Sequence, residues 1–362
     1  MKFLKFAIAS LVVALLCQLA ADAKVVYVNA AAAPAGDGTS WPTACRFLQD
    51  ALDLTAPGDE VWVAAGTYYP DDGASVTTGD RAATFTLKQN VKLYGGFVSG
   101  ESGVEQRNSV MHPTILSGEI WTEVIYWSIH VVTLVGNATL DGFTVTKGNA
   151  NGDISPYTLG AGVYASGVGA LTLENCALLN NTASSNGGSI YASSIAAFNC
   201  TFSNNTAKIG DAIYSSASVS ATNCTFSGNT VRSGGAISAT SSVTAKYCTF
   251  TGNKRGSNGG AISAFSVMAN DCTFINNEIF GYGGAIAVHQ SPPGATVVAT
   301  NCTFSGNVCT NGGGAIYASS GSVTATNCTF SGNTTGEYGD GGAISGGPVT
   351  VLNCTFSNNS TV

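Results

Sequence analysis

The sequence predicts an all-β fold, a right-handed, single-stranded parallel β-helix with a short capping helix near its N-terminus. Three observations carry that expectation. First, an Asn/Asp-Cys-Thr-Phe box recurs, with looser copies beginning at Asn175 and Tyr247. Its cysteines, Cys176, Cys200, Cys224, Cys248, Cys272, Cys302, Cys328 and Cys354, are separated by 24, 24, 24, 24, 30, 26 and 26 residues. Second, Gly-Gly-Ala-Ile lies between boxes at 234–237, 259–262, 283–286, 313–316 and 341–344, with variants at Gly187 and Gly210. A fixed period of this length means one supersecondary unit stacked on itself. Third, apolar residues alternate with Thr in copies such as 323–333, which is strand period two, and no apolar set recurs at helical spacing.

The alternation skips a step at Asn327 before Cys328 and Phe330 resume facing inward. A one-residue corner in the left-handed region produces such a skip, and Asn tolerates positive φ better than most residues. Each repeat is therefore expected to hold about three short strands. Circuits stack about 4.8 Å apart, which would place Phe202, Phe226, Phe250, Phe274, Phe304, Phe330 and Phe356 in a ladder beside the cysteines. Burying one Phe is worth on the order of 2 kcal/mol. A second column, Asn181, Asn205, Asn229, Asn253, Asn277, Asn307, Asn333 and Asn359, is expected to bind turn backbone groups from rung to rung. An exported chain with this many cysteines would ordinarily suggest disulfides. Cysteines in register at the rung spacing sit wider than the roughly 3.5–4.5 Å between Cβ atoms that a bridge needs, so buried free thiols are expected.

The N-terminal part follows a different grammar. Residues 1–23 read as a signal peptide: Lys2 and Lys5, a short apolar run, then Ala21-Asp22-Ala23. No later segment is long and apolar enough to span a membrane. Residues 24–150 are expected to form a cap and irregular rungs, and 151–362 the regular repeats. Phe47, Leu48, Ala51 and Leu52 fall at helical spacing between Pro42 and Leu54, and a helix there would cover the open first rung. Strands are expected at 25–28, 61–68, 84–87, 91–97, 114–118 and 138–145. At the other end, residues 351–362 show no capping pattern, so end-to-end self-association, docking or a frayed last rung is expected there.

Only 10% of residues are charged, with a net charge of −7. Nucleic-acid binding needs clustered Lys and Arg and is not expected. The regular aliphatic and Phe positions argue against disorder despite 45 glycines.

The Phe-x-x-Asn and Gly-Gly-Ala-Ile pair resembles the repeat of the chlamydial polymorphic outer membrane proteins. Asp37-Gly-Thr-Ser-Trp, Gly58-Asp-Glu-Val-Trp-Val-Ala-Ala-Gly-Thr-Tyr, Leu93-Tyr-Gly-Gly-Phe, Ile115-Leu-Ser-Gly and Leu140-Asp-Gly-Phe-Thr-Val are similar to the bacterial β-helix proteins that carry it. The resemblance covers nearly all of the chain after the signal and implies a pectate-lyase-like solenoid and a secreted or surface passenger involved in adhesion. It departs from the chlamydial pattern in showing no translocator barrel within these residues. Fold alone does not set function, because β-helices host adhesins, lyases, hydrolases and epimerases.

A β-helix lyase needs carboxylates for Ca²⁺ and a cationic base, and a hydrolase needs paired acids, on outward positions of neighbouring rungs. In the regular region those positions hold Thr201, Thr225, Thr249, Thr273, Thr303, Thr329 and Thr355 in one column. A second column holds Tyr164, Tyr191, Tyr214, Ser238, Ser263, Ala287, Tyr317 and Ser345. Neither contains a carboxylate. Acids and histidines gather earlier, at Asp71, Asp72, Asp80, His112, Glu119, His130 and Asp141. The histidines read as structural, Asp141-Gly142 as a turn, and Asp71-Asp72-Gly73 as a loop that one acidic pair does not make into a Ca²⁺ site.

The leading expectation is a surface or secreted protein acting in adhesion, in glycan or matrix binding, or as a structural surface component. It would have no catalytic, metal or cofactor-binding residues, and its partners would be surface glycans, matrix or other cell-surface proteins. The alternatives are a carbohydrate-active enzyme with its site within 60–150, and an ice-binding protein using the outward Thr columns with Ser203, Ser227, Thr251, Ser305, Ser331 and Ser357. Eleven sequons occur. Five, at Asn199, Asn223, Asn301, Asn327 and Asn353, sit at box corners, where stacking competes with a glycan. Asn137, Asn180, Asn204, Asn333 and Asn358 are candidate glycosylation sites, with Asn359 overlapping the last.

Overall fold

A computed structural model describes residues 23–120, 126–165, 167, 169–288, 294–337 and 339–362. The expected signal peptide, apart from Ala23, lies outside them. From Val25 onward the chain winds into a parallel β-solenoid. A regular circuit uses four short strands rather than three, as in Thr303–Ser305, Val308–Cys309, Ile316–Ala318 and Ser322–Thr326. The extra strand follows the box, where a corner lets the chain pair for only two to five residues before the Gly-Gly turn.

The box strands stack into an 11-stranded sheet and the short strands after them into a 9-stranded sheet. The Ala-Ile strands and the strands preceding each box join in a 20-stranded sheet, because Ile190–Phe198 and Ile213–Thr222 run through both columns without a break. In the box sheet, Thr201, Thr225, Thr249, Thr273, Thr303, Thr329 and Thr355 pair in unbroken register. Among the described residues the only antiparallel pair is Glu119–Ile120 with Tyr126–Trp127.

Two columns of left-handed residues turn the chain. Asn175, Asn199, Asn223, Tyr247, Asp271, Asn301, Asn327 and Asn353 have φ between 51° and 55°, at the alternation skip read from the sequence. Five residues later Asn180, Asn204, Gly228, Gly252, Asn276, Gly306, Gly332 and Asn358 form a second such corner, φ 52° to 62°. Only Asn and Gly occupy it, which is the sequence signal for a left-handed residue. In the Gly-Gly turn, Gly313 has φ 67°, and a Cβ there would fall 2.1 Å from Ile316 O.

The interior is one apolar cluster running from Val26 to Ala343. At its N-terminal end the helix Leu48–Leu54 buries Leu48, Ala51 and Leu52 against Val25–Val28 and Phe85–Leu87, closing the first circuit. The expected strand over 61–68 divides at Gly66 into Glu60–Ala64 and Gly66–Tyr68. Likewise 138–145 divides at Gly142, whose φ of 83° turns the corner. Val349, Val351, Leu352 and Phe356 of the last circuit are exposed. Among the described residues no helix is long and apolar enough to cross a membrane.

Candidate functional site

Three kinds of side-chain column run along the solenoid, and each follows from strand register. Inward from the box, the rings of Phe202, Phe226, Phe250, Phe274, Phe304, Phe330 and Phe356 stack with centroids 4.7–4.9 Å apart and planes within 5°. Cys176, Cys200, Cys224, Cys248, Cys272, Cys302 and Cys328 lie beside them as buried free thiols, with Cys354 partly exposed. Their Sγ–H groups point at carbonyls, as Cys248 does toward Ala221 O and Lys246 O.

The second column is a buried amide ladder. Asn253 Nδ2 donates to Phe226 O and to Asn277 Oδ1, while Asn253 Oδ1 accepts from Asn229 N and Nδ2. The pattern repeats from Asn181 to Asn359. Asn333 belongs to this column. It is fully buried, with both amide hydrogens committed to Phe304 O and Asn359 Oδ1, so the folded chain does not present it for glycosylation. Asn137, Asn180, Asn204 and Asn358 are exposed.

The third column is a hydrogen-bonded chain along the outer corner. Asn175, Asn199 and Asn223 each donate Nδ2–H to the preceding member, beginning at Asp141 Oδ1. Asn301, Asn327 and Asn353 do the same, beginning at Asp271 Oδ1. A carboxylate heads each run because a first member has nothing to donate to and needs only to accept. Tyr247 separates the two runs.

The early acids and histidines do not converge on one site. The other Asp141 oxygen pairs with Arg107, whose guanidinium lies over the Tyr94 ring at 5.3 Å. Glu119 pairs with Lys147. Asp71 is buried and accepts from Gly79 N, and Asp80 accepts from Ala82 N. Burial, with the neighbouring Asp71 carboxylate, raises the Asp72 carboxyl above its usual range. His112 is half-buried, and its backbone N–H donates to Asn108 O. His130 is buried, sharing a hydrogen bond between Nδ1 and Gly160 O and stacking on Tyr164 at 4.8 Å. Burial holds its imidazole down at about 4. Among the described residues no group of His, Cys, Asp and Glu is placed to hold a metal ion.

Sequence reasoning missed two features. Tyr27, Trp41, Trp62 and Phe97 form an aromatic cluster on the outside of the first circuits, with Trp62 and Phe97 stacked at 4.8 Å. These residues occur once each and carry no periodic signal. Asp211 takes the second Gly position of the Gly-Gly turn and is fully buried. Its Oδ1 accepts from Ala207 N, Oδ2 has no partner, and burial raises its carboxyl well above the usual value.

The columns expected to face outward are only partly exposed: the box-sheet Thr residues and Tyr164, Tyr191, Tyr214, Tyr317 and Ser345 reach the surface, whereas Ser238, Ser263 and Ala287 are buried beneath the turns around them. Tyr164, Tyr191 and Tyr214 stack one rung apart at 5.8 and 5.3 Å. Beside the Thr column, Ser203, Ser227, Thr251, Ile275, Ser305, Ser331 and Ser357 align, with Ile275 the interruption.

The model for the right handed beta helix region matches residues 161–330, and that for the Chlamydia polymorphic membrane protein repeat matches 327–347. Similar solved structures include a rhamnogalacturonan lyase, at 14% identity over 88% of this chain and 75% of that chain, TM-score 0.44. Pectate lyase Pel9A follows at 16% identity over 92% and 78%, TM-score 0.42. The catalytic unit of a GH87 α-1,3-glucanase from Streptomyces thermodiastaticus has 17% identity over 94% and 70%, TM-score 0.32. Identities this low carry no activity across. No curated protein matches the chain. The chain winds as a right-handed parallel β-helix, and its residues 327–347 match the polymorphic membrane protein repeat.

Proposed function

We propose that this is a secreted or cell-surface β-helix protein that acts in adhesion by binding glycans, matrix or other surface proteins, without catalysis. One observation carries the reading. Four of the five early acids are spent on the fold: Asp141 and Glu119 in ion pairs, and Asp71 and Asp80 on backbone amides. The box-sheet Thr column, Tyr164, Tyr191 and Tyr214, and the corner asparagines offer hydroxyls, phenols and amides. Such surfaces hydrogen-bond a partner over a long face but hold no matched acid and base for glycosyl chemistry. The repeat match adds support, since it is named for a Chlamydia polymorphic membrane protein. The test is binding of the purified protein to a glycan array and to whole cells. Failure to bind any glycan, matrix or cell would overturn the reading.

A second reading rests on the box sheet. Its seven Thr residues in unbroken register, beside a Ser-rich column, make a regular array of the kind that can order water for ice binding. Ile275 and the many serines, which lack the Thr methyl, weigh against it. Thermal hysteresis of the purified protein would establish it, and ordinary freezing behaviour would dismiss it.

A further inference from the structure

We propose that Tyr247 and Lys246 form a recognition site for an acidic glycan, one bearing carboxylated sugars. This deepens the adhesion reading and rests on it. Tyr247 breaks three local rules at once. It stands in the left-handed corner column, φ 54°, where the other members are Asn or Asp. A bulky residue is strained there, whereas Asn is not. It also interrupts the corner amide chain, so that Asn223 below and Asp271 above are not joined through it. Finally, it is 54% exposed, so its ring repays none of this by burial in the core. A position that gives up backbone ease, a hydrogen bond and burial together marks a functional constraint rather than a folding one.

The surroundings indicate what the ring is for. Lys246 Nζ lies over it, 4.8 Å from the centroid, and among the described residues no carboxylate forms an ion pair with that ammonium. Asp271 on the next rung is the nearest acid in the corner column, and its Oδ1 is engaged by Asn301 Nδ2. Flanking outward positions on the aligned strands are Thr222, Thr244 and Asn270, all able to hydrogen-bond sugar hydroxyls, with Met268 and Phe198 adding exposed apolar surface. The Lys246 ammonium is a local positive charge on a chain with a net charge of −7. Charge complementarity therefore favours a carboxylate, the ring offers a surface for the apolar face of a pyranose, and the hydroxyls and amide supply the rim.

The discriminating variant is Tyr247→Asn, which restores the residue most common in the column. It should fold with an unchanged or higher Tm, because it relieves the strained corner and can donate to Asn223. Wild-type protein, Y247N and Lys246→Gln are tested on one array of uronate-, sialate- and neutral-sugar glycans, in parallel with whole-cell binding. The proposal expects wild type to retain acidic glycans, Y247N and K246Q to lose on the order of tenfold in affinity, and added salt to weaken binding. Equal binding by Y247N, or retention of neutral glycans only, overturns the site. Cell binding without any glycan retention overturns the site and leaves the adhesion reading standing.

Discussion

Asn175 donates its Nδ2–H to Asp141 Oδ1 at 2.8 Å, joining the regular repeats to the irregular rungs before them. The contact starts the outer amide chain at a carboxylate whose other oxygen faces Arg107. Asp141, read from the sequence as part of an Asp-Gly turn, is thereby also a structural terminus.

Removing that charge should cost stability rather than activity. Asp141→Asn leaves Arg107 without its anion in a site where Nε already has no partner, at a cost of roughly 3 kcal/mol. Urea unfolding gives the value directly. A variant as stable as wild type would show that the ion pair contributes little.

The Phe ladder should be worth most in the middle. Phe250→Ala removes a fully buried ring and should cost about 3–5 kcal/mol. Phe356→Ala, at a ring already 46% exposed, should cost clearly less. Equal losses in denaturant melts would contradict the rung-by-rung account.

Two buried titrating groups should act in opposite directions. The His130 pKa is depressed to about 4, below the unfolded value near 6.5, so its contribution is full above about pH 6.5. It is lost as pH falls from there toward 4, by up to about 3 kcal/mol. Asp211 has a raised pKa, so its contribution is full below the unfolded value near 3.8 and is lost as pH rises toward its folded pKa. Tm against pH should therefore flatten on the acid side in His130→Phe. Asp211→Asn should be more stable than wild type at neutral pH. Unchanged profiles in both variants would argue against these assignments.

The box cysteines should remain reduced. Thiol titration in denaturant without reductant is expected to find most of the eight free, because the rung spacing exceeds bridging distance. Four intact bridges would contradict this.

In a glycosylating host, peptide mapping should find Asn333 unmodified, while the exposed Asn137 and Asn180 are open to attack. Full occupancy at Asn333 would mean that the ladder around it forms only after modification, or not at all.

The repeats were legible because one local pattern is stated many times. The alternation skip at Asn327 located a left-handed corner, and the Phe spacing located a ring stack. The second corner was less visible because Asn and Gly alternate there, and the short strand after it pairs only through its neighbours above and below. Features built from single-copy residues were not legible at all. Arg107 meets Asp141 across 34 residues, and Trp41 meets Tyr27 and Phe97 through a loop with no periodic mark. Strand register creates those contacts, and register is a property of the whole stack. Tyr247 was visible as a looser box, yet its significance required the strained corner and the interrupted chain to be seen together.

The central claim is that the protein binds without cutting, and one assay on immobilised polysaccharides addresses both halves. Protein retained and sugar released are measured in the same wells, across pectin, alginate and neutral polymers. The account predicts retention on at least one polymer, with reducing-end and unsaturated-uronate release no higher than in buffer. Sustained release of either product by the purified protein would contradict it.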